Sequence, residues 1–115
     1  MSEIKSIKQG SIILADLNPI KGSEQGGYRP VLVMQNNILN KHLSTVVVAP
    51  ITKNLKAKGF FTTFLIDKKS SGLSFDSLAL LFQIRTIDKA RLKKPLGTIS
   101  TGQFLELKKQ LALVF

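Results

Sequence analysis

Thr45-Val46-Val47-Val48-Ala49-Pro50-Ile51 decides the fold class. Three consecutive valines crowd the backbone at Cβ, which favours the extended conformation over the helical one. An unbroken apolar run this short, rather than an alternating one, reads as a buried strand. Pro30–Gln35 has the same character, and Ser11–Asp16 is a third apolar run, ended by Asn18-Pro19. Phe61–Ile66 and Ser77–Ile87 follow as further strands. In the last of these, Leu78, Leu80 and Phe82 alternate with Ala79, Leu81 and Gln83, so both faces are covered near its start. Short strands separated by turn residues predict a small antiparallel barrel or sandwich. The C-terminus changes period. Ser100 followed by Gln103 has capping-box form, and Phe104, Leu107, Leu111 and Val114 recur at helical spacing with Lys108 and Lys109 off that face. These residues predict an amphipathic helix over Thr101–Val114. A helical turn over Asp88–Leu92, capped by Asp88 and stopped by Pro95, is also expected. The class is β-rich α+β: a small antiparallel barrel with a C-terminal amphipathic helix, in a single domain spanning 1–115.

Composition limits the chemistry. The 115 residues include 17 Lys and Arg, 7 Asp and Glu, one His and no Cys. The absence of Cys excludes disulfides, Cys-ligated zinc and thiol nucleophiles, and a lone His42 excludes a multi-histidine metal site. The carboxylates Glu3, Asp16, Glu24, Asp67, Asp76, Asp88 and Glu106 are scattered singly. A two-metal nuclease needs several of them converging, so a phosphodiester-cutting enzyme built from this set is expected to need no metal and no cofactor. No secretory h-region and no membrane-length apolar run is visible, which makes the cytoplasm the expected compartment.

The net charge of +10 points to a polyanionic partner, nucleic acid before acidic protein. Most of the excess lies in two stretches, Lys53–Lys69 and Arg85–Lys94, which together suggest a phosphate-facing surface. Between the first two strands runs Asn18-Pro19-Ile20-Lys21-Gly22-Ser23-Glu24-Gln25-Gly26-Gly27-Tyr28-Arg29-Pro30. It is longer than an ordinary hairpin connection, rich in glycine, and ends in an Arg followed by Pro. A polar flap beside a fixed guanidinium suits phosphate recognition.

The blocks GSEQGGYRPVLV, VVVAPIT and DSLALLFQIRTIDKARL resemble, in order and spacing, the signature blocks of the MazF/PemK (Kid) toxin family. The similarity covers roughly Gly10 to the C-terminus. It implies an SH3-like, CcdB-type barrel acting as a homodimer. It also implies a sequence-specific, metal-independent endoribonuclease that cuts single-stranded RNA, chiefly mRNA, and arrests growth. A cognate antitoxin would neutralise it through an acidic, disordered segment laid over the RNA groove, and promoter DNA would be bound only through the antitoxin complex. The resemblance assigns catalytic roles to Arg29 and Thr52. Two departures stand out. Relatives read Leu-Leu-Glu-Gln where this chain has Leu81-Phe82-Gln83, which alters base preference or fills a pocket. They read Pro-Thr-His-Val-Glu where it has Thr62-Thr63-Phe64-Leu65-Ile66, and the Phe60, Phe61 and Phe64 rings there serve either the core or RNA stacking.

Metal-free cleavage of RNA is feasible because the substrate carries its own nucleophile, the 2′-OH beside the scissile phosphorus. The protein must hold the phosphate in line, stabilise growing negative charge and manage two protons. Arg29 suits charge stabilisation, and the Thr52 hydroxyl suits holding a phosphate oxygen or orienting the 2′-OH. Glu24 and His42 are the acid–base candidates. Gly22, Ser23, Gln25, Tyr28, Lys53, Lys56, Gln83 and Arg85 are the candidate RNA contacts. Gln83 and Arg85, read as alternate residues of one strand, should project to the same face, Gln83 toward a base edge and Arg85 toward phosphate. Gln35 and Asn36 end the second strand, where they cap a turn or touch RNA. Two alternatives stay open on the sequence: a non-enzymatic gyrase poison of the same fold, and an RNA-binding relative that does not cut.

Overall fold

A computed structural model describes residues 7–17, 27–59 and 62–113. Seven strands build one antiparallel sheet: β1 (Ser11–Asp16), β2 (Tyr28–Val33), β3 (Thr45–Thr52), β4 (Thr63–Ile66), β5 (Ser77–Leu80), β6 (Arg85–Asp88) and β7 (Leu92–Thr98). Helices α1 (Asn37–His42), α2 (Lys68–Ser71) and α3 (Thr101–Ala112) lie between and after them. Ladders run β4-β5-β3-β2-β1-β7, and β6 pairs with the first half of β3. The strands β6-β3-β2-β1-β7 thus form a continuous run whose two end strands are joined by a single 3₁₀ turn, Lys89–Arg91. So short a link brings the ends of the run near each other and curls the sheet in the manner of a small barrel.

Each central strand is buried on both faces, which is why its sequence is apolar throughout rather than alternating. Ile13, Val31, Val33, Val46, Val48, Ile87 and Leu92 fill the barrel interior, whereas Ile12, Leu32, Ala49 and Ile51 turn the other way. That second face packs against Ile66, Ala79 and the α3 residues Phe104 and Leu107. The expected capping box at Ser100 and Gln103 forms in both directions, at 3.1 and 2.8 Å. The helix it starts ends at Ala112, and Val114 lies outside the described residues. Gln110 Nε2 ties α3 to β4 by donating to the Thr63 carbonyl at 2.7 Å.

The expected single strand Ser77–Ile87 is two strands. Ile51 faces Ala79 while Val48 faces Arg85, so three steps along β3 correspond to six along its partner. The surplus residues coil into the 3₁₀ turn Leu81–Gln83. Pro50 lies opposite this break and has no N–H to give to a ladder there. The 85–94 region also departs from expectation. Asp88 does cap the turn after it, accepting from the Ala90 amide at 2.8 Å, but Leu92 already begins β7. Pro95 therefore lies inside β7, paired with Ile13 beside a register shift on an outer strand where a missing donor is tolerated.

The short helices α1 and α2 carry caps rather than periodicity. Asn36 caps α1 by accepting from the Leu39 amide at 2.9 Å. Gln35 is buried, and its Nε2 donates to Asn40 Oδ1 and to the Thr45 carbonyl, each at 3.0 Å. That bonding makes Gln35 a structural residue at the β2–α1 junction rather than an RNA contact. Asp67 caps α2 and Asp76 accepts from the Lys68 amide, while Gly72 ends the helix in the left-handed region at φ 85°. On β7, Gly97 lies so close to the Ser71 carbonyl that a Cβ would stand 2.2 Å from its oxygen. Only glycine admits that approach.

Candidate functional site

β2 and β3 pair through Val31–Pro50, Leu32–Ala49 and Val33–Val48. The ladder stops at Val31–Pro50, two residues short of Arg29 on β2 and of Thr52 on β3, which stand just past its end. The pair lies where two surface cavities meet, since both residues line both of them. The larger cavity, about 760 Å³, is bordered by Tyr28, Ile51, Lys53, Leu73, Phe75 and Leu96 among others. The smaller, about 490 Å³, is bordered by Pro50, Ala57, Leu80, Phe82, Gln83 and Arg85.

Arg29 is half-buried, and its guanidinium makes no hydrogen bond or ion pair with any described residue. Its donor fork is therefore available to an anionic ligand. Thr52 Oγ1 accepts from the Asn54 amide at 3.1 Å. That bond occupies an acceptor position and leaves the hydroxyl proton to be donated. Lys53 lies over the Phe75 ring, its Nζ 4.7 Å from the centroid. No described carboxylate lines either cavity. Asp67, Asp76 and Asp88 are engaged instead as acceptors for backbone amides elsewhere. Among the described residues no group of His and acids could hold a metal ion, and no helix is long and apolar enough to cross a membrane.

The structure thus brings Arg29, Thr52, Tyr28, Lys53, Gln83 and Arg85 to one groove. Gln83 reaches it from the 3₁₀ turn rather than from a strand, so its shared face with Arg85 comes from the break opposite Pro50 and not from two-residue alternation. Lys56 is exposed on the 3₁₀ turn Leu55–Ala57 and borders neither cavity, although Ala57 does. His42 is not brought to the pair. It closes α1 three residues before β3 begins, and Thr52 ends that strand, roughly 20 Å away along it. Gly22, Ser23, Glu24 and Gln25 lie outside the described residues, as do Phe60 and Phe61, while Phe64 packs against the core.

The side chains of the second basic stretch are held in different ways. Arg85 borders the groove, but Lys89 Nζ donates to the Asn40 carbonyl, Arg91 to the Asp16 carbonyl at 3.1 Å and Lys93 Nζ to the Ala90 carbonyl at 3.2 Å. Phe75 is a groove residue that sequence reasoning missed. The signal was an aromatic side chain in a short turn-rich stretch, Gly72-Leu73-Ser74-Phe75-Asp76.

Fold and groove together define a small antiparallel β protein whose groove carries Arg29, Lys53 and Arg85 beside the Thr52 hydroxyl, with no described carboxylate. Residues 8–115 match the PemK-like, MazF-like toxins of type II toxin–antitoxin systems. Over 101 residues the chain is 46% identical to the endoribonuclease MazF of Staphylococcus epidermidis, covering 88% of this chain and 84% of that relative. A Mycobacterium tuberculosis MazF toxin superposes with a TM-score of 0.74 at 27% identity, covering 91% of this chain and 95% of the other. The MazE–MazF structure from Deinococcus radiodurans shares the fold with a TM-score of 0.74 at 23% identity, over 96% of each chain. The chain belongs to the PemK/MazF toxin family.

Proposed function

We propose that this chain is a metal-independent endoribonuclease toxin that cleaves single-stranded RNA, mainly mRNA, at defined sequences. The observation that carries this reading is that Arg29 and Thr52, on neighbouring strands, both line two adjoining cavities free of described carboxylates. In the reaction the ribose 2′-OH attacks the adjacent phosphorus and expels the 5′-oxygen, leaving a 2′,3′-cyclic phosphate, opened in some cases to a 3′-phosphate, and a 5′-OH. Arg29 donates to the non-bridging oxygens as charge grows on them. Thr52 supports the same phosphate, since its oxygen is already held by the Asn54 amide and its proton can be donated outward. Arg85 neutralises a neighbouring phosphate and Gln83 meets a base edge. Of the two acid–base candidates, His42 stands away from the pair, which leaves Glu24 as the proposed base.

The chain works as one toxin domain and as a homodimer. A cognate antitoxin neutralises it by laying an acidic, disordered segment over the groove, and promoter DNA is reached only through that complex. The excess of lysines draws both polyanions by long-range attraction.

A long natural RNA incubated with the purified protein in EDTA tests the reading. Primer extension should map discrete cuts, the fragments should carry 5′-OH ends, and DNA of the same sequence should survive because it lacks the nucleophile. No cleavage under these conditions, or cleavage undiminished in Arg29→Ala, overturns it.

A further inference from the structure

We propose that Phe75 and Phe82 are base-stacking platforms on opposite sides of the Arg29–Thr52 pair, holding and selecting nucleobases that flank the scissile phosphate. This deepens the ribonuclease reading and rests on it for the class of ligand.

The distribution of aromatic rings carries the proposal. Among the described residues the aromatics are Tyr28, Phe64, Phe75, Phe82 and Phe104. Phe104 is buried and Phe64 packs on the core, as apolar rings in a small barrel should. The other three are 60%, 56% and 60% exposed for Tyr28, Phe75 and Phe82, and all three border the two cavities that meet at Arg29 and Thr52. Leaving a phenylalanine ring in water forgoes its burial, so confinement of the exposed rings among the described residues to one groove marks a ligand with flat apolar faces.

Cations at these cavities suit any polyanion, and the pairing of each ring with a phosphate-binding or base-reading neighbour favours RNA over an acidic protein segment. Lys53, Arg29 and Arg85 supply cations at the same cavities, where no described acid offsets them. Lys53 covers one face of Phe75 at 4.7 Å, which leaves the opposite face to a base and sets the ammonium near its backbone phosphate. Phe82 shares its 3₁₀ turn with Gln83, so one short segment offers a ring face and, beside it, an amide that can read a base edge. That turn projects because the β3 partner breaks opposite Pro50. Both cavities have the volume typical of small-ligand sites.

A pool of random 2′-O-methyl decanucleotides carrying 5-iodouridine tests this independently of cleavage, because methylation blocks the nucleophile. Irradiation of the complex should couple the halogenated base to the ring stacked on it, and peptide mapping should find adducts at Phe75 and Phe82. Phe75→Ala and Phe82→Ala should each weaken binding of the same pool by about 5- to 100-fold, with Phe→Tyr at either position retaining it. On ordinary RNA the two alanine variants should relax base preference on different sides of the cut. Adducts confined to other residues, or wild-type affinity in both alanine variants, overturn the proposal. So does loss of antitoxin affinity with RNA affinity unchanged, which would make the rings a protein-docking surface. Adducts at both rings in a protein that cuts no RNA would support stacking while removing the ribonuclease reading.

Discussion

Arg29→Ala is expected to lower the single-turnover rate of RNA cleavage by about 10²- to 10³-fold, the loss typical when one pre-positioned donor to a developing oxyanion is removed. The effect should fall on the chemical step, because the charge this guanidinium meets is largest in the transition state. Binding should weaken less, since Arg85 and Lys53 still line the groove. Arg29→Lys separates two contributions. It keeps the charge and loses the planar fork, so a rate between wild type and alanine is expected if both matter. The fold should be indifferent to either change, as the side chain bonds no other described residue. Thermal melting alongside saturating-enzyme kinetics makes the comparison. A large fall in melting temperature without the rate loss would assign Arg29 to structure rather than to the reaction.

Leu107→Ala should produce the largest change in stability. Leu107 is 0% exposed and, with Phe104 of the same helix, packs in one cluster with Ile12 and Leu32 of the sheet. Truncating a fully buried leucine typically costs about 2–5 kcal/mol, against a total of about 5–15 kcal/mol for a domain. For a chain of this size the melting temperature should fall by roughly 10–20 °C. Because α3 lies on the face away from the barrel interior, circular dichroism should show whether the helix is lost before the sheet. A shift of less than a few degrees would mean that α3 does not pack as described.

Local signals made the strands legible. Val46, Val47 and Val48 dictate an extended chain by their own side chains, and the reciprocal bonds of Ser100 and Gln103 need only the spacing of two residues. The Ser77–Ile87 break was not legible, because it is a matter of register against β3, a strand some thirty residues away in sequence that carries Pro50 opposite the break. The helices α1 and α2 were missed for another reason. At six and four residues they are too short to show a period, and their stop and start signals are single side chains such as Asn36 and Asp67. In the groove, Arg29 and Thr52 were named by resemblance, but their meeting at the same two cavities depends on β2 lying beside β3, which no local pattern encodes. Lys89, Arg91 and Lys93 show the converse. Their charges are plain in the sequence, while the backbone carbonyls they bind are set by the fold.

The contact between Gly97 and Ser71 bears on how this toxin can change over generations. Any larger residue at position 97 must push the Ser71 carbonyl away, and Ser71 leads through Gly72 directly into the segment that carries Leu73 and Phe75 into the groove. A neutral drift at position 97 is thereby closed off, although the position contributes nothing to the chemistry. Saturating that codon and selecting for growth arrest should return glycine alone, whereas exposed neighbours such as Lys94 should return many residues. Loss-of-toxicity mutations therefore have a target on β7 as well as in the groove itself.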